Sequence, residues 1–202
     1  MTGPVDYREL APRPDEGPID LEALLPGAGP IEIDIGFGRG RSVLDRAQAA
    51  PDARILGIEV KPKWVCVVEQ RLRREGLDRA RVFAADAREL LARSGPDGCV
   101  RRVSIHFPDP WWKKRHAKRR VVGDALLDEV VRLLARGGEL LIQTDVEERA
   151  ELYRLLVAAR TGLEPLGDRG FVEANPFGAR SNREVRAEGD GLPVWRVHAR
   201  RA

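Results

Sequence analysis

Apolar residues along this chain fall into short runs that switch between two periods. Ile31-Glu32-Ile33-Asp34-Ile35 alternates with period two and stops at Gly36, which predicts a strand. Arg41 to Ala50 suits a helix ended by Pro51. Ile55 to Ile58 predicts a second strand, closing at Glu59. Pro62 to Glu75 reads as a helix with proline in its first turn and Gly76 as its stop. Arg81 to Ala84 predicts a third strand with Asp86 just beyond it, and Ala87 to Ala92 a short helix. Val100 to His106 predicts a fourth strand. Asp124 to Leu134 carries apolar residues at Leu126, Leu127, Val130, Val131 and Leu134, the spacing of one helical face. Gly138 to Gln143 predicts a fifth strand, followed by Thr144-Asp145 and a helix from Glu147 to Arg160. Trp195, in Pro193 to His198, looks like part of a last strand. Strands alternating with helices predict an α/β fold of Rossmann-like kind, with a mostly parallel central sheet and helices on both faces. Residues 1–28 are rich in Pro and Gly and show little periodicity. They read as a flexible N-terminal arm, which leaves 29–202 as a single domain.

In parallel sheets ligands bind beyond the carboxyl ends of the strands. That rule puts Asp34, Glu59, Asp86, Asp109 and Asp145 along one rim, each just after a strand run. The first loop, Asp34-Ile35-Gly36-Phe37-Gly38-Arg39-Gly40-Arg41, lets a ligand approach the backbone closely at Gly36, Gly38 and Gly40. A dinucleotide fingerprint would need glycine where Arg41 stands. An acid beside the loop favours a cationic ligand over a pyrophosphate, and S-adenosyl-L-methionine is such a cation. Glu59 can accept from its ribose hydroxyls and Asp86 can reach its adenine amine. Helix capping is the structural alternative for Asp34, Asp86 and Asp145.

Composition changes this picture little. The chain has 202 residues, 43% hydrophobic and 33% charged, with a formal net charge of +3. That suits one globular domain and by itself says nothing about nucleic acid. Clustering says more: Phe107-Pro108-Asp109-Pro110-Trp111-Trp112 is followed by a run in which Lys113, Lys114, Arg115, Lys118, Arg119 and Arg120 are basic and none is acidic. Tryptophan can stack on a base while lysine and arginine neutralise phosphates. Arg180 to Arg186 is a second basic stretch, in which Ser181 and Glu184 also fit a capping box. Cys66 and Cys99 lack metal-ligand spacing and disulfide density, so no metal is expected. No secretory pattern opens the chain and no apolar run is long enough to span a bilayer, so a cytoplasmic protein is expected.

These motifs together resemble the bacterial tRNA (guanine-N7)-methyltransferases. The resemblance rests on Asp34 to Gly40, Gly57-Ile58-Glu59-Val60, Phe107 to Trp111 with Lys113 to Arg120, and Thr144-Asp145, and it covers nearly everything from Ile31 to Trp195. It implies a class I S-adenosylmethionine-dependent methyltransferase fold and tRNA as partner, with no membrane; monomer and homodimer stay equally open. It also implies that Asp34, Glu59 and Asp86 hold the donor, and that Asp109 is the active-site residue and touches the donor as well. Lys113 and Asp145 would contact substrate. The family's C-terminal substrate motif reads Thr-Lys-Phe-Glu and then Arg two residues on; here Ser181, Asn182, Arg183 and Glu184 stand at that spacing, then Arg186. Asp34 stands where the family usually has Glu. Three rivals remain: a nucleic-acid methyltransferase acting on an exocyclic amine, a non-catalytic RNA-binding module, and a nicotinamide oxidoreductase.

Overall fold

The computed structural model describes residues 5–108 and 121–202. Seven strands form one sheet: β2 (Ile31–Ile35), β3 (Arg54–Glu59), β4 (Ala80–Ala84), β6 (Val100–His106), β7 (Leu134–Thr144), β8 (Leu163–Pro165) and β9 (Trp195–Arg201). Their order across the sheet is β4-β3-β2-β6-β7-β9-β8. Neighbours from β4 to β7 run parallel, and β9 is inserted antiparallel between β7 and β8. The chain winds outward from β2 to β4 and then crosses to β6 on the other side. β2 and β6 therefore flank the switch point where such sheets open a crevice.

Helices α3 (Arg41–Ala49), α4 (Pro62–Arg74), α5 (Ala87–Ala92), α6 (Asp124–Leu133) and α7 (Glu147–Ala158) connect these strands, and α8 (Asn182–Gly189) precedes β9. Alternate strand residues point to opposite faces, and the core divides accordingly. Ile55 joins Val43, Leu44, Val65 and Val68 of α3 and α4. Leu56 and Ile58 join Leu90, Leu126, Leu127 and Val130 of α5 and α6. The alternation of β2 suggests a half-exposed strand, but all five of its residues are buried because it is central. Its Glu32 is neutralised there by Arg46 at 2.7 Å and Arg102 at 3.2 Å.

Two expectations differ from the structure. The described part of the segment before Ile31, residues 5–30, is anchored to the domain. Tyr7–Leu10 forms α1, Ile19–Asp20 forms β1 beside β5 (Ser94–Gly95), and Leu21–Leu24 forms α2. Leu21 and Leu25 are fully buried in the core, and Asp20 caps α2 by accepting from the Glu22 and Ala23 amides. A few apolar anchors among prolines hold this segment, without any periodicity to announce them. β7 is also longer than expected, beginning at Leu134 rather than Gly138. The pairing with β6 shifts register on the way, between Val100 and Arg102. Gly138 makes this possible, since a Cβ there would lie 2.8 Å from the Ala135 carbonyl oxygen.

Candidate active site

The carboxyl ends of β2, β3, β4, β6 and β7 surround one cleft of about 1090 Å³. Gly36, Gly38, Glu59, Asp86, Asp145, Ser181, Asn182 and Arg183 all line it, so residues from far apart in sequence share one hollow. Asp34, Gly40 and Glu184 lie behind its wall instead. Asp109 and Lys113 lie outside the described residues. So do Trp111, Trp112 and the rest of the basic run to Arg120.

The glycine loop is left-handed at Gly36, Gly38 and Gly40. Gly40 has a packing reason as well, since a Cβ there would lie 2.2 Å from Val68 Cγ2, so α3 and α4 could not approach so closely with any larger residue. Glu59 braces this loop. Its two carboxylate oxygens accept from the Gly38 and Lys61 amides, each at 3.0 Å. Each oxygen keeps a further lone pair for a hydroxyl in the cleft. Asp86 combines both readings of its sequence position: it caps α5 through the Arg88 amide at 2.9 Å and still faces the cleft. The Arg88 guanidinium, hydrogen-bonded to it, holds its carboxyl below the usual range.

On the opposite wall three consecutive residues reach three different elements. The Asn182 side-chain oxygen accepts from the Arg41 amide at 3.3 Å, where α3 begins without a side-chain cap of its own. Arg183 pairs with Asp145 at the tip of β7. Glu184 turns inward and is fully buried. Its Oε1 accepts from Gln143 at 2.7 Å and from Arg196 at 2.8 and 3.2 Å, and its Oε2 from the Ser181 amide at 3.3 Å and Asn175 at 3.4 Å. With Ser181 it completes the capping box of α8. Glu184, expected to contact substrate, has both oxygens engaged within the fold here, and the side chain seats the Ser181–Arg183 turn from beneath.

Asp34 is buried too, but incompletely satisfied. Its Oδ2 accepts from Ser42 Oγ at 2.5 Å and lies 3.6 Å from His106 Nε2, while Oδ1 has no partner among the described residues. Burial pushes its carboxyl above the usual range, against the opposing pull of His106 and Ser42. Asp34, expected to hold the donor, is not among the residues that line the cleft and stands one layer behind its surface. His106, Gln143 and Ser42 were not singled out as site residues. The rim rule reaches His106, the last residue of a strand. Gln143 is a polar residue in an apolar strand run, and such positions are worth questioning. Beyond His106, Phe107 takes a left-handed φ of 43°, unusual for a bulky residue.

Among solved structures, a rRNA methylase from Streptococcus thermophilus superposes with a TM-score of 0.57 at 15% identity, covering 90% of this chain and 91% of that one. Strand order, antiparallel β9 and the cleft at the switch point define a class I S-adenosylmethionine-dependent methyltransferase fold. The Methyltransf_4 family model, described as "Putative methyltransferase", matches residues 28–197. A tRNA (guanine-N(7)-)-methyltransferase of Nitrosococcus oceani is 36% identical over 186 residues, covering 92% of this chain and 78% of the relative. One from Myxococcus xanthus is 33% identical over 182 residues, covering 90% and 88%. The chain belongs to the tRNA (guanine-N7)-methyltransferase family.

Proposed function

We propose that this protein transfers a methyl group from S-adenosyl-L-methionine to N7 of a guanine in the variable loop of tRNA. One observation carries the reading: Glu59, Asp86 and the open glycine loop face Asp145 and the Ser181–Arg183 turn across a single cleft, in a chain of this family. The residues fit a cationic donor. Glu59 has acceptor capacity left for ribose hydroxyls, Asp86 stays ionised beside the cleft, and the buried Asp34 keeps one carboxylate oxygen without a hydrogen-bond partner among the described residues, behind the glycine loop. The bound donor supplies a methyl group on positively charged sulfur.

Guanine N7 carries a lone pair and no proton, so the protein needs no general base to activate it. Its work is alignment and electrostatics. Asp109, by its place after β6, is the proposed active-site carboxylate beside the purine as positive charge develops there. Lys113 and Asp145 are proposed substrate contacts, as are Ser181, Asn182 and Arg183 at the mouth of the cleft. Trp111 or Trp112 would replace stacking lost when the base leaves its helix, worth roughly 1–3 kcal/mol. The protein is proposed to act in the cytoplasm; among the described residues no helix is long and apolar enough to cross a membrane.

The decisive experiment is transfer of labelled methyl to unmodified tRNA, with the product nucleoside identified by mass spectrometry. N7-methylguanosine is expected. Methylation of an exocyclic amine would replace this reading with the rival chemistry, and no transfer at all would remove it.

A further inference from the structure

Asp34 and Glu184, the two buried acids behind the cleft, are joined by a chain of polar contacts. His106 Nδ1 lies 2.6 Å from Gln143 Oε1, and Gln143, wholly buried, donates from Nε2 to Glu184 Oε1 at 2.7 Å. The direction of every link follows from the end held by Arg196. The Glu184 carboxylate, ion-paired with Arg196 at 2.8 Å, can only accept. The Gln143 atom facing it is therefore the amide nitrogen, which leaves the amide oxygen facing His106. That oxygen also only accepts, so His106 carries its proton on Nδ1.

The consequence appears at the other ring nitrogen. Nε2 faces Asp34 Oδ2 at 3.6 Å. With Nδ1–H fixed, Nε2 either bears a second proton beside an Asp34 carboxylate or presents its lone pair to a protonated Asp34. Both states differ from neutral imidazole beside bare carboxylate by one added proton on the pair. A bare lone pair against a bare carboxylate is the arrangement this geometry disfavours. Among the described residues, the charged groups in this chain of contacts or next to it include Asp34 on β2, Glu59 at the tip of β3, Glu184 and Glu188 on α8, and Arg196 on β9; Glu32 on β2 and Arg102 on β6 pair with each other, and His198 on β9 with Glu139 on β7.

We propose that His106 is a positioning residue of the donor pocket: it holds the Asp34 carboxylate behind the glycine loop and ties it, through Gln143, to the Glu184–Arg196 pair beneath the Ser181–Arg183 turn. This rests on the methyl-donor reading of the cleft. It assigns donor affinity partly to Gln143, which does not line the cleft. It also gives a sign for pH. A cationic donor favours ionised Asp34, so its affinity falls as pH drops through the range where Asp34 takes up a proton. Burial has moved that range upward and His106 pulls it back. Removing the imidazole moves the fall in affinity to higher pH.

The test is calorimetric titration of the full chain with S-adenosylmethionine and S-adenosylhomocysteine across a pH series, for wild type, His106→Gln and Gln143→Met. His106→Gln is expected to weaken the cationic S-adenosylmethionine about tenfold near neutral pH and to move the acid limb upward. Gln143→Met is expected to weaken it several-fold. Variants that melt like wild type and keep its affinity and pH profile overturn the proposal. A wild-type chain that binds neither ligand overturns the donor reading itself, and this proposal with it. Nitrogen NMR of the wild-type imidazoles, with His106 assigned by through-bond connectivity to its own backbone, needs no variant. A protonated Nδ1 is expected, and a neutral ring protonated only on Nε2 overturns the proposal.

Discussion

The surroundings of Asp34 and of Glu184 make an instructive pair. Each is an acid behind the cleft wall, 7% exposed for Asp34 and 0% for Glu184. Glu184 has both oxygens saturated, a guanidinium for its charge and a capping role on α8. Asp34 has one oxygen without a partner among the described residues and a carboxyl raised by burial. A fully satisfied buried charge is what a structural support looks like; a half-satisfied one stores a cost that a bound cation can offset. Similar burial thus accompanies opposite degrees of hydrogen-bond satisfaction, and the difference lies in the partners.

The largest expected effect comes from breaking the satisfied member. Glu184→Ala leaves Arg196 buried beside Gln143 without its main counter-charge and should cost about 3–5 kcal/mol, read from denaturant unfolding. Replacing Glu184 and Arg196 together by methionines should recover much of that loss. If the single and double variants unfold alike, the ion pair is not the source. Next comes the open wall of the cleft. Glu59→Ala removes the ribose acceptor and the brace of Gly38 together and should weaken S-adenosylmethionine by at least about tenfold in calorimetry. Unchanged affinity would move the ribose elsewhere.

Asp34→Asn sharpens the comparison with the opposite sign. The folded-state carboxyl is raised, so between the ordinary value and the raised one the native state binds more protons than the unfolded chain. Stability therefore falls as pH rises through that window, and the ionised form is a net cost above it. Asp34→Asn should raise the melting temperature at neutral pH, lose that advantage in acid, and bind the donor more weakly. A variant less stable at neutral pH would mean that Asp34 is as well satisfied as Glu184. The smallest effect is expected from Asp86→Asn. It keeps an acceptor for the α5 cap and loses only a partly exposed pairing with Arg88, so the melting temperature should barely move.

The strand and helix order was legible because period-two and helical runs alternate cleanly between Ile31 and Arg160, and the rim rule turned strand ends into site residues. Glu59, Asp86 and Asp145 reach the cleft for that reason. The glycine loop was legible because only glycine tolerates its backbone angles. The packed segment around Leu21 and Leu25 was not, since isolated apolar residues among prolines carry no period. The short strand β8 was missed too, having three residues and only an edge position.

By itself, then, the sequence determined which residue types stand at the strand ends and that a basic, tryptophan-bearing segment follows the fourth predicted strand, because those are local facts of order and spacing. Only the tertiary structure decided which acids face the cleft and which stand behind it. That choice depends on Ser42, His106, Gln143, Asn175 and Arg196, partners brought together from α3, β6, β7, β9 and the segment before α8. A carboxylate is a ligand or a support according to how many of its lone pairs the fold has already taken, and no spacing along the chain counts them.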